Sequence, residues 1–245
     1  MNFEQMLSNI IMLLQKYWRV YLIQGVVTTL ECTCIAVVLG VILGTVVAMG
    51  KMSRFKILRF LVSIYIEVIR GTPILLQLYI FYFVLPELLT FLDLSSFMWV
   101  AIAMCVNSGA YVSEVIRSGI QAVDKGQAEA ARSLGLSKSQ TMMKIVLPQA
   151  VRNILPALGN EFIMILKETS LASTFFLGDL MTSHKTVAGA TYLQMESLII
   201  VGMIYLCITF PLSKVVGHFE KRMANPNSFR SHKNRQRKIK AGGKI

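Results

Sequence analysis

The sequence predicts an all-α membrane protein of five transmembrane helices, with its N-terminus outside and its C-terminus cytoplasmic. Three observations carry that prediction: an apolar excess, five apolar stretches of spanning length, and basic residues gathered on alternate sides of them. Of the 245 residues, 54 % are apolar and only 16 % charged, where a soluble domain carries about a quarter. The net charge of +12 is uneven, because ten of the 25 Lys and Arg lie between Lys214 and Lys244 with Glu220 as the only acid there. The remainder is nearly neutral, which excludes a nucleic-acid-binding domain with a basic face and excludes disorder ahead of the tail.

Crossing a hydrocarbon core of about 30 Å takes about 20 mostly apolar residues. Residues 1–19 form an amphipathic lead-in, with Leu7, Ile10, Ile11 and Leu14 at helical spacing. It has neither the basic region nor the small-residue cleavage site of a signal peptide. The membrane domain covers 20–222. Span one, 21–49, has Gly40 and Gly44 as a small-xxx-small pair suited to close helix contact. Span two, 57–89, is interrupted by Arg70-Gly71-Thr72-Pro73, and spans three, four and five occupy 97–116, 151–176 and 193–216. The basic tail, 223–245, is read as disordered or lying on anionic lipid. Cys32, Cys34, Cys105 and Cys207 all sit in apolar runs and read as small buried residues.

Lys and Arg accumulate in cytoplasmic loops. Lys51, Arg54, Lys56 and Arg59 follow span one, whereas the loop after span two has no basic residue. Arg117, Lys125, Arg132, Lys138, Lys144 and Arg152 follow span three, and only Lys185 lies between spans four and five. With the tail on the same side as the two basic loops, an odd number of spans and an inside C-terminus are required.

The long loop between spans three and four, 124–148, reads as a helical elbow. Asp124 with Gln127, and Ser137 with Gln140, fit the capping-box spacing. Gly135 can close the first helix in a left-handed conformation, and Pro148 bars the second from continuing unkinked. The plain alternative is an amphipathic stretch lying on the membrane. Glu129-Ala130-Ala131, Gly135, Ile145, Leu147 and Pro148 stand at the fixed positions of a pattern that resembles the EAA signature of permease subunits in ATP-binding-cassette importers. Further stretches resemble the polar amino-acid branch of that family, the His/Glu/Gln/Arg/opine permeases: 70–77, 107–114, 117–121, 155–162 and 166–171.

The resemblance covers roughly 20–222 and implies a type I, MetI-like permease core in the inner cell membrane. It implies that Glu129, Ala130, Ala131, Gly135, Ile145, Leu147 and Pro148 dock on a separate ATPase dimer. It also implies an extracytoplasmic amino-acid-binding protein and a second permease copy, identical or related. The chain has no Gly-x-x-x-x-Gly-Lys-Ser/Thr loop, so hydrolysis is expected from the partner, and no cofactor is expected.

Ionisable residues inside a span cost about 3 kcal/mol each and usually face a cavity or a partner. At about 1.5 Å per residue, Glu67, Asn107 and Glu161 fall near the midplane, while Glu114 lies near the inner surface beside Arg117. Thr72-Pro73 is read as a helix restart with threonine as the cap, leaving N–H groups that favour a carboxylate. With acids for an ammonium, Glu67, Thr72, Asn107, Ser108 and Glu161 form the candidate site for a zwitterionic α-amino acid, the substrate class that the resemblance implies. The bland alternatives are that Glu67 and Arg70 neutralise each other, that Glu161 pairs with a base, and that Asn107 and Ser108 only join helices. A stand-alone carrier using these acids as proton sites is the competing functional class.

Overall fold

In a computed structural model, which describes residues 2–224, every regular element is helical. The N-terminal lead-in is helical and amphipathic as α1 (Phe3–Trp18), but it does not stop before span one. It passes through a π-helical stretch, Arg19–Gly25, into α2 (Val26–Lys51). Non-helical torsions at Tyr17 (φ −116°, ψ 16°) bend the rod. Without a bend, the 49 residues of Phe3–Lys51 would reach about 74 Å, more than twice a hydrocarbon core.

Span two is two helices, α3 (Lys56–Gly71) and α4 (Ile74–Tyr79), bent by 106° at the Thr72-Pro73 break. After α4, a π-helical turn (Ile80–Val84) and a short α5 (Leu85–Leu88) complete it. α6 (Ser96–Gln121) is span three, opened by Ser95, whose hydroxyl accepts from the Met98 N–H at 3.3 Å. The elbow holds α7 (Lys125–Ser133) and α8 (Lys138–Thr141). As expected for Pro148, the second helix does not run on as regular α-helix: a π-helical turn, Met142–Val146, lies between α8 and α9 (Leu147–Glu168), with Pro148 in the first turn of α9.

A 3-10 stretch, Thr169–Phe175, then leads to α10 (Leu180–Thr191) and α11 (Gln194–Ala224). Among the described residues, three helical stretches are long and apolar enough to cross a membrane, Phe3–Lys51, Ser96–Gln121 and Gln194–Met223, and the bent pair makes a fourth. α9, at the place expected for span four, is not among these stretches; it carries Arg152, Glu161, Lys167 and Glu168. The tail reading concerns residues that, from 225 onward, lie outside the described ones.

The seam between α2 and α6 is the most extensive in the bundle. A Cβ on Gly40 would stand 2.7 Å from Ser108 Oγ, and one on Gly44 would stand 2.6 Å from Val112 Cγ1 and 2.9 Å from the Gly109 carbonyl. The small-xxx-small pair therefore does what its spacing predicts. Below it, Cys32, Ala36, Leu78, Met104, Ile165 and Phe175 form the main core. Cys32 and Cys105 are buried as expected, whereas Cys34 and Cys207 stand on exposed faces, and all four are free.

A second core, Leu13, Tyr21, Leu180, Val187, Ile200 and Val201, fastens α1 to α10 and α11. Polar pairs reinforce it. Tyr21 Oη and Ser197 Oγ are 2.6 Å apart, His184 Nδ1 lies 3.1 Å from the same hydroxyl, and Asn9 donates to Glu196 at 2.8 Å. Burial holds the His184 imidazole below its ordinary range, favouring its neutral form.

Overpacking a close helix seam costs about 1–3 kcal/mol. Gly44→Leu should therefore lower the melting temperature of the detergent-solubilised protein by several degrees. Gly202→Ala, where a Cβ meets nothing within 4 Å, should leave it unchanged. Equal melting of the two variants would contradict the seam.

Candidate functional site

The break in span two is held by a side chain outside the sequence-predicted set. Gln77, 5 % exposed, reaches back across the bend, donating through Nε2 to the Ile69 carbonyl at 2.8 Å, the Thr72 carbonyl at 3.2 Å and Thr72 Oγ1 at 2.9 Å. Its Oε1 accepts from Asn107 Nδ2 at 2.9 Å. Breaking a helix strips carbonyls at its C-terminal end of intrahelical donors, and one buried amide supplies two of them here. The signal was present in the sequence, since Gln77 lies one turn past Pro73 inside an apolar stretch.

Thr72 has a different role from the one expected. It is the C-cap of α3 (φ −118°, ψ 146°), and its hydroxyl donates back to the Val68 carbonyl at 2.8 Å. Pro73 is the N-cap of α4, which has no side-chain cap. The cause is local: proline excludes helical torsions from the residue before it, so Thr72 turns extended and its side chain is left over the helix it ends.

Ser108 and Glu161 meet elsewhere, where α9 packs across α2 and α6. Ser108 is fully buried beneath Gly40, and Glu161 is 6 % exposed. The hydroxyl lies within reach of the carboxyl, yet Ser108 Oγ and Glu161 Oε1 lack hydrogen-bond partners of good geometry, as does Glu168 Oε2 on the same helix. Buried polar atoms are nearly always paired. The Ser108 hydroxyl can itself donate to the carboxyl, which leaves Glu161 and, two turns further along α9, Glu168 with acceptor capacity to spare.

Glu67 stands apart from both groups. It is exposed, in a cleft of about 540 Å³ with Lys51, Arg70, Glu114, Arg117 and Gln121. The alternative reading, in which Glu67 and Arg70 neutralise each other, finds no ion pair between them among the described residues. Arg70 lies over the Tyr111 ring, 5.4 Å from its centroid. The ion pair here joins Arg117 to Glu114, 2.6 Å apart at its shortest. Tyr65 Oη, donating to the Val106 carbonyl at 2.6 Å, keeps α3 against α6.

In the elbow, Asp124 Oδ1 accepts from the Gly126 N–H at 2.8 Å and caps α7, but Gln127 does not complete a box with it. Ser137 and Gln140 do form the reciprocal box at α8. Gly135 has φ +89°. Its N–H reaches the Arg132 carbonyl at 3.0 Å and the Leu136 N–H reaches Ala131 at 3.1 Å, the paired bonds of a Schellman turn. A Cβ on Gly135 would meet nothing, so the torsion alone demands glycine. Between α7 and α8 runs a groove of about 500 Å³ lined by Ala128, Glu129, Arg132, Lys138, Thr141 and Met142. Glu129, Ala130 and Pro148 are exposed, Ala131 is buried, and Ile145 and Leu147 are half-buried. Glu129 forms no ion pair with Arg132 among the described residues.

Removing one partner of a buried hydrogen bond costs about 1–3 kcal/mol. Gln77→Leu should lower the melting temperature by several degrees and make the 71–74 segment more susceptible to proteolysis, and Gln77→Leu with Asn107→Leu should recover part of the loss. Unchanged melting of the single variant would refute the role given to Gln77.

The family described as "Binding-protein-dependent transport system inner membrane component" matches residues 36–225. The arginine transport system permease protein ArtQ of Bacillus subtilis (strain 168) is 40 % identical over 203 residues, covering 83 % of this chain and 92 % of that one. A crystal structure of an amino acid ABC transporter with histidines superposes with a TM-score of 0.80 at 42 % identity, over 85 % of this chain and 96 % of that one. An inward-facing structure of the MetNI methionine ABC transporter, 17 % identical with a TM-score of 0.64 over 81 % and 96 % of the two chains, shows the shared fold. These matches favour an importer subunit over a stand-alone carrier. The chain is a permease subunit with the type I importer fold and belongs to the inner membrane components of binding-protein-dependent transport systems.

Proposed function

We propose that the chain is the membrane-spanning subunit of an ATP-driven importer for polar amino acids in the cytoplasmic membrane. In this reading it crosses five times with its N-terminus outside, works as one of two permease copies, and receives substrate from an extracytoplasmic binding protein. A separate ATPase dimer docks on the elbow through Glu129, Ala130, Ala131, Gly135, Ile145, Leu147 and Pro148. The α7–α8 groove supports this, because an exposed, rigidly capped helical elbow is more than a link between spans needs.

The observation that carries the substrate reading is the buried, unsatisfied carboxyl of Glu161 beside Ser108. An ammonium group is the donor that such a site lacks, and the substrate carboxylate falls to the second Nδ2 hydrogen of Asn107 and to Thr72, whose hydroxyl would exchange its bond to the Val68 carbonyl for it. Arginine, named for one similar protein, and histidine, present in the structure of another, share both groups.

Reconstituted with its ATPase and binding protein, the chain should support amino-acid-stimulated ATP hydrolysis. Glu161→Gln should lower transport by about tenfold or more, a loss of about 1.4 kcal/mol, while co-purification with the ATPase is unchanged. Transport equal to the parent would refute the role of Glu161. At Gly135, substitution by valine should weaken ATPase co-purification more than substitution by asparagine, which tolerates the left-handed torsion. Equal effects would mean that the torsion does not position the docking elbow.

A further inference from the structure

The cleft around Glu67 is not accounted for by the buried Glu161 junction. It gathers Lys51, Glu67, Arg70, Glu114, Arg117 and Gln121 from α2, α3 and α6 around about 540 Å³ of open space. Five ionisable side chains facing hydrocarbon would cost about 3 kcal/mol apiece. This face of the bundle is therefore turned to water.

Three of the five are committed. Arg117 Nε and Nη2 hold the Glu114 carboxylate at 2.6–3.1 Å, Arg117 Nη1 donates to Gln121 at 2.7 Å, and Lys51 Nζ donates to Ser63 at 2.6 Å. Glu67 and Arg70 are not. Among the described residues neither makes a hydrogen bond or ion pair, and Arg70 is steered only by the Tyr111 ring and by the more distant Glu114 charge. The cleft thus offers one unpaired carboxylate and one unpaired guanidinium, the complement of an ammonium and a carboxylate on one small molecule. Its inner end adjoins the break, since Arg70 lies two residues before Thr72 and Tyr111 lies one turn beyond Asn107.

We propose that this cleft is a second binding station for the α-amino acid, on the cytoplasmic side of the buried junction, with Arg70 taking the carboxylate and Glu67 the ammonium. The assignment rests on the amino-acid importer reading and its orientation. Because it engages only groups common to all α-amino acids, the station accepts L-arginine and L-histidine alike.

The test places a cysteine at Met52, an exposed residue lining the cleft, in a chain whose exposed Cys34 and Cys207 are replaced by serine. The chain is assembled with its ATPase in vesicles with the cytoplasmic face outward. A membrane-impermeant maleimide should react with Met52→Cys, and L-arginine or L-histidine at twice its dissociation constant should slow the reaction by about threefold. Butyrate or butylamine alone should not. Adding Arg70→Gln should leave the unprotected rate unchanged and remove the protection. No reaction, no protection, or protection that survives Arg70→Gln would overturn the station. Stimulated ATP hydrolysis is measured on the same assembly with binding protein. Stimulation without protection refutes the station alone, whereas no stimulation by any amino acid refutes the importer reading as well.

Discussion

The organising constraint is that a polar group taken into a membrane must find a partner there, because neither water nor lipid supplies one. This chain breaks span two at Thr72-Pro73 and so strips backbone groups of their helical partners. Gln77 and Thr72 repair the break, and Asn107 ties the repair to α6. Anchoring to α6 matters because α6 is clamped to α2 through Gly40 and Gly44. The bent span is thus held in register against the two best-packed helices.

The same constraint distinguishes structural polar groups from functional ones. Where all hydrogen-bonding groups are matched, as in the Tyr21, Ser197 and His184 cluster between the N-terminal rod and the last two helices, the polar side chains fix packing. Where they are not, as at Ser108 and Glu161 or at Glu67 and Arg70, lie the two sites proposed above for a ligand. Aromatic packing of Phe175 on Tyr79 and Tyr82 joins the end of the 3-10 stretch to α4. α9 is joined through a π-helical turn to α8, so the elbow proposed for docking and the buried carboxyl stand on one helical run.

Much of this was legible in the sequence wherever one residue type has one physical use. Gly135 needs a left-handed torsion, Ser137 with Gln140 makes a cap, and Gly40 with Gly44 permits close approach; each appears as read. Features that depend on what a side chain meets were not legible. Thr72 looks like an N-cap until proline's effect on its torsions turns it into the end of the preceding helix. Pro148 rules out a regular continuation, but the π-helical turn that carries the chain past it is not readable from the residue alone. The lead-in reads only as an amphipathic segment, and that Leu13 and Asn9 meet α10 and α11 is not visible in it. A count of residues along the helices gives Glu67 and Glu161 one depth, but it does not reveal that Glu67 shares an open cleft with Lys51 and Arg117 while Glu161 is buried.

The central claim is that the unsatisfied carboxyl of Glu161 is completed by a substrate ammonium. An experimental structure of the assembled transporter with L-arginine or L-histidine bound tests this most directly. The account predicts the ligand's ammonium within hydrogen-bond distance of Glu161 and its carboxylate toward Asn107 and Thr72. A ligand bound in the membrane domain away from an unchanged, buried Glu161 would contradict it.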